Sequence, residues 1–526
     1  MNAGTDNVRL RQKFRSPLAM KNAAILSIFV VAYFFIRAPY FSQKLTGDEG
    51  LIAYIFLNHP TGPNYGLYGR IDGREILGPL QHPALPYRAI SGVGALIRRF
   101  IDLRQIPEVQ RTVIMRVILS LFQLGVWALM LLLVLLKRST PKIIDRKDFT
   151  EGLERKISNP EDQLFIHTVY KRDVEHEVYR LKKTLDADER RNLLRIVKAA
   201  KYLQPRSYQI LFVFLISASP LAVVTSTQLY TDGSIGALLI GLLFLAFAVV
   251  WYSDNVGASG NLLVFFGSLA AALGKNEWSL ALLLAQVSLV VWVMVLRFIG
   301  RGTRRLFHSV FLIIFFSCLG MIIGNAVSFI IDPLNYRGGL DVMSLFSHAS
   351  LSNPSMPHPW VNYFFAVFPY TFTVIILFVS CAAVLCSSFK KISTTSPGLV
   401  LLFFYSSVLF AGYLIFPWSA SARYFTPALV GFSITFLALS EFIPQRIQRR
   451  CLVVLFAVVL DHAFIFFLST HPNRASQNIA LQPQACVQLI AAADGYFDQQ
   501  INFITVSFGR ETAEKLAQQY GKSLCQ

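Results

Sequence analysis

Runs of about twenty apolar residues, repeated along most of the chain, limit what this sequence can fold into more than any other feature. A helix needs roughly 20 apolar residues to cross the hydrocarbon core of a bilayer. Eleven segments reach or approach that length: about 22–41, 113–136, 209–227, 233–252, 260–274, 278–297, 309–331, 363–388, 398–416, 424–442 and 451–468. The fifth is short, and the third and fourth are joined tightly enough to form one re-entrant hairpin. Only 15% of residues are charged, against about 25% in a soluble domain. The expected fold is an all-α polytopic membrane protein of about 11 transmembrane helices.

The formal net charge of +19 could suggest nucleic acid, but the basic residues cluster in the short segments between apolar runs. That distribution orients a membrane protein and implies no nucleic-acid partner. With residues 1–21 in the cytoplasm, the inner loops hold Arg297, Arg301, Arg304 and Arg305, then Lys390 and Lys391, then Arg446, Arg449 and Arg450. Three short outer loops carry one basic residue each: Lys275, Arg337 and Arg423. The basic start runs into a first span without a small-residue cleavage site, so no cleavable signal peptide is expected. Segment 137–207 falls inside. It alternates acids and bases at helical spacing, which predicts a solvated helical insertion. Eleven spans leave residues 469–526 outside as a small extracytoplasmic appendage. Cys486 and Cys525 lie there and are expected to form a disulfide, while Cys318, Cys381, Cys386 and Cys451 lie in spans. The chain has no Asn-x-Ser/Thr acceptor with x other than Pro. This hints at a bacterial inner membrane with a periplasmic or exterior outer face.

The first outer loop, about 42–112, breaks the charge rule. It carries Arg70, Arg74, Arg88 and several further arginines. Long loops follow the rule poorly, and a surface that holds phosphate would also break it, because Arg pairs with phosphate through two hydrogen bonds. The loop opens on Thr46-Gly47-Asp48-Glu49-Gly50, an acid pair just beyond a span. Ionisable groups in such places are candidates for function. Residues 84–104 combine Leu85, Ile90, Val93, Leu96, Ile97, Phe100 and Ile101 with Arg88, Arg98, Arg99 and Arg104, which reads as an amphipathic helix in the membrane surface. The other outer turns add Tyr230, Thr231 and Asp232; Lys275 and Trp278; Arg337 and Trp360; and Trp418, Arg423 and Tyr424. Acids, cations and aromatics on one face suit a charged, sugar-like or phosphate-bearing substrate.

In order and position these motifs resemble the GT-C glycosyltransferases, nearest to the protein mannosyltransferase and aminoarabinose transferase branch. The resemblance rests on Asp48-Glu49, on the turn Gly78-Pro79-Leu80-Gln81-His82-Pro83-Ala84-Leu85-Pro86, on Thr231-Asp232, on Leu273-Gly274-Lys275, and on Arg423-Tyr424-Phe425-Thr426-Pro427. It covers roughly residues 20–445 within a membrane domain spanning 22–468, and leaves out the insertion and the tail. The family's proline pair is replaced here by His-Pro-Ala. The resemblance implies a GT-C-like fold and transfer of a sugar from a polyprenyl-phosphate donor to a glycan, lipid or protein acceptor.

Such a transfer needs a base to take the acceptor proton, and a carboxylate can serve. Asp48 is the candidate base. Glu49 would orient it, or bind the acceptor or a metal. The leaving phosphate needs cations, for which Arg70, Arg74, Lys275, Arg337 and Arg423 are available. His82, Asp232 and Tyr424 are the further substrate-binding candidates. No cofactor is specified by the sequence beyond a divalent metal as an option. His59, His82 and Glu49 could offer imidazole and carboxylate ligands to a divalent metal, although their spacing matches no tight metal motif. A transporter or flippase of lipid-linked saccharides would place charges near mid-membrane and show repeats; few such charges and no clear repeat are found. A polymerase or ligase would rely on a large late outer loop, whereas here the richest loop comes first.

Overall fold

The computed structural model describes residues 17–42, 49–58, 67–71, 74–77, 84–136, 143–146, 148–174, 178–182, 185, 187–200, 207–231, 233–252, 258–300, 304–331, 359–387, 397–415 and 422–440, with a few positions between 452 and 460. Every apolar segment from 22–41 through 424–442 is mainly helical over its described residues. The helices are α1 (Pro17–Phe41), α2 (Glu49–Asn58), α3 (Ala84–Arg98), α4 (Glu108–Leu136), α5 (Pro160–Val169), α6 (Ala187–Ala199), α7 (Ser207–Ser217), α8 (Pro220–Thr227), α9 (Ile235–Tyr252), α10 (Ala258–Gly274), α11 (Asn276–Phe298), α12 (Arg304–Ile331), α13 (Pro359–Ser387), α14 (Pro397–Ile415) and α15 (Thr426–Leu439). Five of them are long and apolar enough to cross a membrane, and the bent pair α7–α8 would make a sixth. Shorter apolar helices fall at Ile235–Ala248, Ser259–Gly274, Thr371–Cys386 and Arg423–Leu439. The chain is a multi-pass, predominantly helical membrane protein. Large apolar side chains stand exposed along α11 and α12, among them Val291, Met294, Phe311 and Ile322, as lipid-facing surfaces require.

The third apolar segment is broken rather than continuous: α7 and α8 meet at 50°. Pro220 lacks an amide proton and drives the residue before it out of helical geometry; Ser219 is extended at φ −62 and ψ 147. The break frees carbonyls that lipid could not satisfy. Arg37 of α1, with no solvent exposure, fills the gap. Its Nη2 donates to the Ser217 carbonyl at 2.7 Å and to the Ala222 carbonyl at 3.3 Å. Its Nε donates to Ser226 Oγ at 2.6 Å, and the guanidinium lies 3.5 Å over the Tyr33 ring. Tyr33 Oη in turn donates to the Ser120 carbonyl at 3.0 Å, and Gln123 Nε2 donates to Thr225 Oγ1 at 3.0 Å. A polar seam thus joins α1, α4 and the broken pair.

The first loop is more structured than a single surface helix. The amphipathic expectation holds for α3, where Tyr87, Ile90 and Ser91 are buried and Leu96 is exposed. Two elements were not foreseen: α2, and an antiparallel hairpin of β1 (Leu67–Ile71) and β2 (Arg74–Leu77). At Gly94 of α3 a Cβ would stand 1.9 Å from the Phe56 carbonyl oxygen, so only glycine lets α3 cross α2 this closely. The pair packs a small core of Ile52, Ile55, Phe56, Tyr87 and Ile90 against Met115 and Leu119 of α4.

The expectation of a helical insertion at 137–207 is corrected. The segment folds as a mixed unit in which β3 (Ile143–Asp145), β5 (Val178–Leu181) and β4 (Tyr170–Asp173) form an antiparallel sheet in that order. With α5 and α6 they close a core of Ile144, Phe149, Leu153, Ile166, Leu193, Ile196 and Val197. Phe149 stacks on Tyr179 with centroids 3.7 Å apart. Acids and bases alternate at helical spacing over 151–156 and 174–200, but the chain between and within these stretches also forms strands. In β4 the buried Tyr170 is followed by exposed Lys171 and Arg172, and β-propensity aromatics at Tyr170 and Tyr179 favour strands there. The helical stripe survives only over α6. The strands here and in the first loop also qualify the all-α expectation.

Arg37→Met should destabilise the protein strongly, because it removes the Arg37 donor from the buried Ser217 carbonyl and from Ser226 Oγ, and a buried polar group left without its partner costs about 1–3 kcal/mol. Thermal unfolding in detergent measures this; an unchanged midpoint would remove Arg37 from its bracing role.

Candidate functional site

The acid pair begins at α2. Glu49 occupies the first helical turn, where a negative charge is favoured by the helix dipole, and has no solvent exposure. Arg116 of α4 grips it at both oxygens: Nη2 donates to Oε1 and Oε2 at 3.0 Å each, and Nε donates to Oε1 at 3.2 Å. The Leu229 amide donates to Oε1 at 2.7 Å. Arg116 Nη1 also donates to the Tyr40 and Phe41 carbonyls at 3.3 and 3.1 Å, two of the carbonyls that the end of α1 would otherwise leave without partners. One ion pair therefore fixes the end of α1, the start of α2, the wall of α4 and the turn after α8.

Leu229 leads directly into Tyr230, and there three turns converge. The Arg423 guanidinium lies 4.2 Å over the Tyr230 ring and 5.1 Å from that of Tyr424. Its Nη2 donates to Tyr424 Oη at 3.2 Å. Lys275 Nζ stands 4.9 Å from the Tyr424 centroid and 6.0 Å from that of Trp278. Tyr413 stacks on Tyr424 with centroids 5.4 Å apart. Three turns far apart in sequence, together with Tyr413 of α14, thus assemble two cations among four aromatic rings.

Local sequence explains each placement. Lys275 is the N-cap of α11, in an extended conformation after Gly274, so its ammonium joins the positive end of a helix dipole. It is only 2% exposed. Trp278, one turn on, is buried, and its carbonyl accepts from Tyr405 Oη at 3.1 Å. Arg423 and Tyr424 belong to a 3-10 turn, Ala422–Phe425, leading into α15, all of whose residues are buried. The Tyr230 turn is pressed onto α8: a Cβ at Gly233 would stand 1.7 Å from the Thr225 carbonyl oxygen. Two polar atoms in this neighbourhood, Trp278 Nε1 and Glu277 Oε2, are buried without a hydrogen-bond partner among the described residues. Such atoms are rare in folded proteins, and a bound polar molecule is one way of satisfying them. Two cations, a helix N-terminus and stacking rings can bind an anion carrying a flat or ring-shaped group.

Of the residues expected at the site, Lys275, Arg423 and Tyr424 come together. Glu49 lies at the anchor, where Arg116 holds both carboxylate oxygens and makes it a buried counter-charge. Arg70 and Arg74 are described as strand positions, Arg70 opposite Glu75 and Arg74 opposite Ile71 in the β1–β2 register. Asp48, His59, His82, Asp232, Arg337, Cys486 and Cys525 lie outside the described residues. Among the described residues no group of three or more His, Cys, Asp or Glu side chains is gathered as a metal site. Sequence reasoning missed Arg116. An arginine set inside the apolar run of α4 was the available signal, since such charges face a buried partner. Comparison with protein-family models, curated proteins and solved structures finds no match to this chain.

Breaking the anchor by Glu49→Gln or Arg116→Met alone should cost roughly 3–5 kcal/mol, because each leaves a buried charge uncompensated. The double variant should lose clearly less than the two losses added together. Thermal midpoints of the four proteins give the coupling; simple additivity would mean that the pair is not the anchor.

Proposed function

We propose that the protein is an integral membrane glycosyltransferase that moves a sugar from a polyprenyl-phosphate donor to a glycan, lipid or protein acceptor, in modification of the cell envelope. The observation that carries this reading is the meeting of Lys275 and Arg423 with Tyr230, Tyr424 and Trp278 beside the Glu49 anchor. The cations hold the lipid-linked phosphate and stabilise the charge that grows on it as the glycosidic bond breaks. The aromatic faces receive the sugar. In this reading the chain crosses the membrane eleven times, with its N-terminus in the cytoplasm of a bacterial cell and the site facing the periplasm or exterior.

Asp48, the sequence neighbour of the anchored Glu49, is assigned as the base that takes the acceptor proton. Arg70, Arg74 and Arg337 are further phosphate candidates. His82 and Asp232 contact sugar or acceptor, and Cys486 and Cys525 join as a disulfide in the outer tail. A divalent metal would draw on His59, His82 and Glu49.

The test is transfer from a radiolabelled polyprenyl-phosphate sugar to envelope acceptors in membranes. Asp48→Asn should abolish transfer while donor binding persists. Lys275→Ala and Arg423→Ala should each weaken donor binding by about tenfold or more, the loss expected for a hydrogen bond to a charged group. Full transfer by Asp48→Asn would dismiss the base, and unaltered donor affinity in both cation variants would dismiss the phosphate site.

A further inference from the structure

A second basic site lies away from the cluster, at the corner joining α3 to α4. Arg111, in the first turn of α4, is only 7% exposed. Its backbone amide donates to the Pro107 carbonyl at 2.9 Å, but its side-chain Nε is buried without a hydrogen-bond partner among the described residues. Arg98, the last residue of α3, has a buried Nε in the same condition. Burying a guanidinium without a compensating partner is costly, so this corner is incomplete as it stands. What surrounds it indicates the missing partner. Leu96, Phe100, Ile101 and Val109 are 52%, 78%, 45% and 60% exposed, an apolar fringe unsuited to water. Side chains of this kind on an amphipathic element enter the acyl region of a bilayer, which sets the neighbouring arginines at the depth of the headgroups.

We propose that this corner is a binding site for an anionic glycerophospholipid of the leaflet that the first loop faces, with the headgroup phosphate on Arg111 and Arg98 and the acyl chains along Leu96, Phe100, Ile101 and Val109. Arginine pairs with phosphate oxygens through two parallel hydrogen bonds, so a headgroup supplies acceptors of the kind that the Nε groups of Arg98 and Arg111 lack among the described residues. The occupant is structural lipid, distinct from a carrier lipid held at Lys275 and Arg423. Because headgroup binding is measured without donor or acceptor, this inference and the proposed transfer reaction stand or fall separately.

The test uses the full chain purified in detergent, titrated with phosphatidylglycerol or phosphatidylcholine and read by native mass spectrometry. Wild-type protein should retain phosphatidylglycerol in preference to phosphatidylcholine. Arg111→Gln should reduce that retention about tenfold or more, as for loss of a charge-assisted hydrogen bond, and Arg111→Lys should fall between. Added phosphatidylglycerol should raise the thermal midpoint of wild type and not of Arg111→Gln. Equal retention of the two lipids, or of phosphatidylglycerol by wild type and Arg111→Gln, would overturn the proposal. So would an Arg111-dependent preference for polyprenyl phosphate over phosphatidylglycerol, which would assign the corner to the carrier. Should Arg111→Gln fail to fold, Arg98→Gln is read in the same way, and undiminished retention there is equally fatal.

Discussion

A carboxylate with no solvent exposure and an arginine at 2% are tolerable in this protein only because each holds the other. Moving either charge out of water alone would cost several kcal/mol, so the ion pair must form wherever the chain buries Glu49. Once formed, it leaves little freedom to its surroundings. Arg116 also donates to the last carbonyls of α1, and Glu49 also accepts from the Leu229 amide. The first loop therefore begins from a fixed point, and the turn carrying Tyr230 is tied to that same point. The cationic cluster inherits its geometry from a residue pair that contributes nothing to it directly.

A different device holds the opposite wall. Arg37 compensates the break between α7 and α8, and Tyr33, Gln123 and Thr225 continue the polar seam toward α4. Hydrogen bonds of fixed direction thus define the side of the site that carries Tyr230. The side that carries Arg423 and Tyr424 is set by packing instead: α15 is buried along its whole length, and Phe432 meets Phe378, Phe403 and Phe410 in edge or tilted contacts. Directional bonds fix a turn precisely, whereas apolar packing fixes a helix and lets its end group adjust. The arrangement suits a site in which one ring is a fixed platform and a cation closes over it.

How much of this was legible in the sequence depended on the range of the interaction concerned. Apolar runs report their own burial, so the helices could be placed from local composition. Lys275, Arg423 and Tyr424 stood out because each lies in a turn with few other charges. Arg116 did not, because its partner is distant in sequence and an arginine inside an apolar run looks like an isolated expense. Without Arg116, Glu49 read as a free acid. The break at Pro220 was obscured because the apolar run continues through it unchanged. In 137–207 the strands are three or four residues long, too short for a period of two to stand out from a surrounding helical charge pattern. The close approaches at Gly94 and Gly233 could not be read at all, since a glycine's need for space is a property of what packs against it.

The anchoring of Glu49 also bears on the electrostatics of the cluster. A free carboxylate one residue from the start of the loop, bonded to a turn that carries Tyr230, would draw on Arg423 and Lys275 and weaken their hold on an incoming anion. Arg116 cancels that charge locally, at 3.0 Å and out of water, where the opposed charges act over short range as a dipole. Aromatic faces of Tyr230, Tyr424 and Trp278 lie against the two cations and hold them in position, because a cation is drawn to the negative face of a ring.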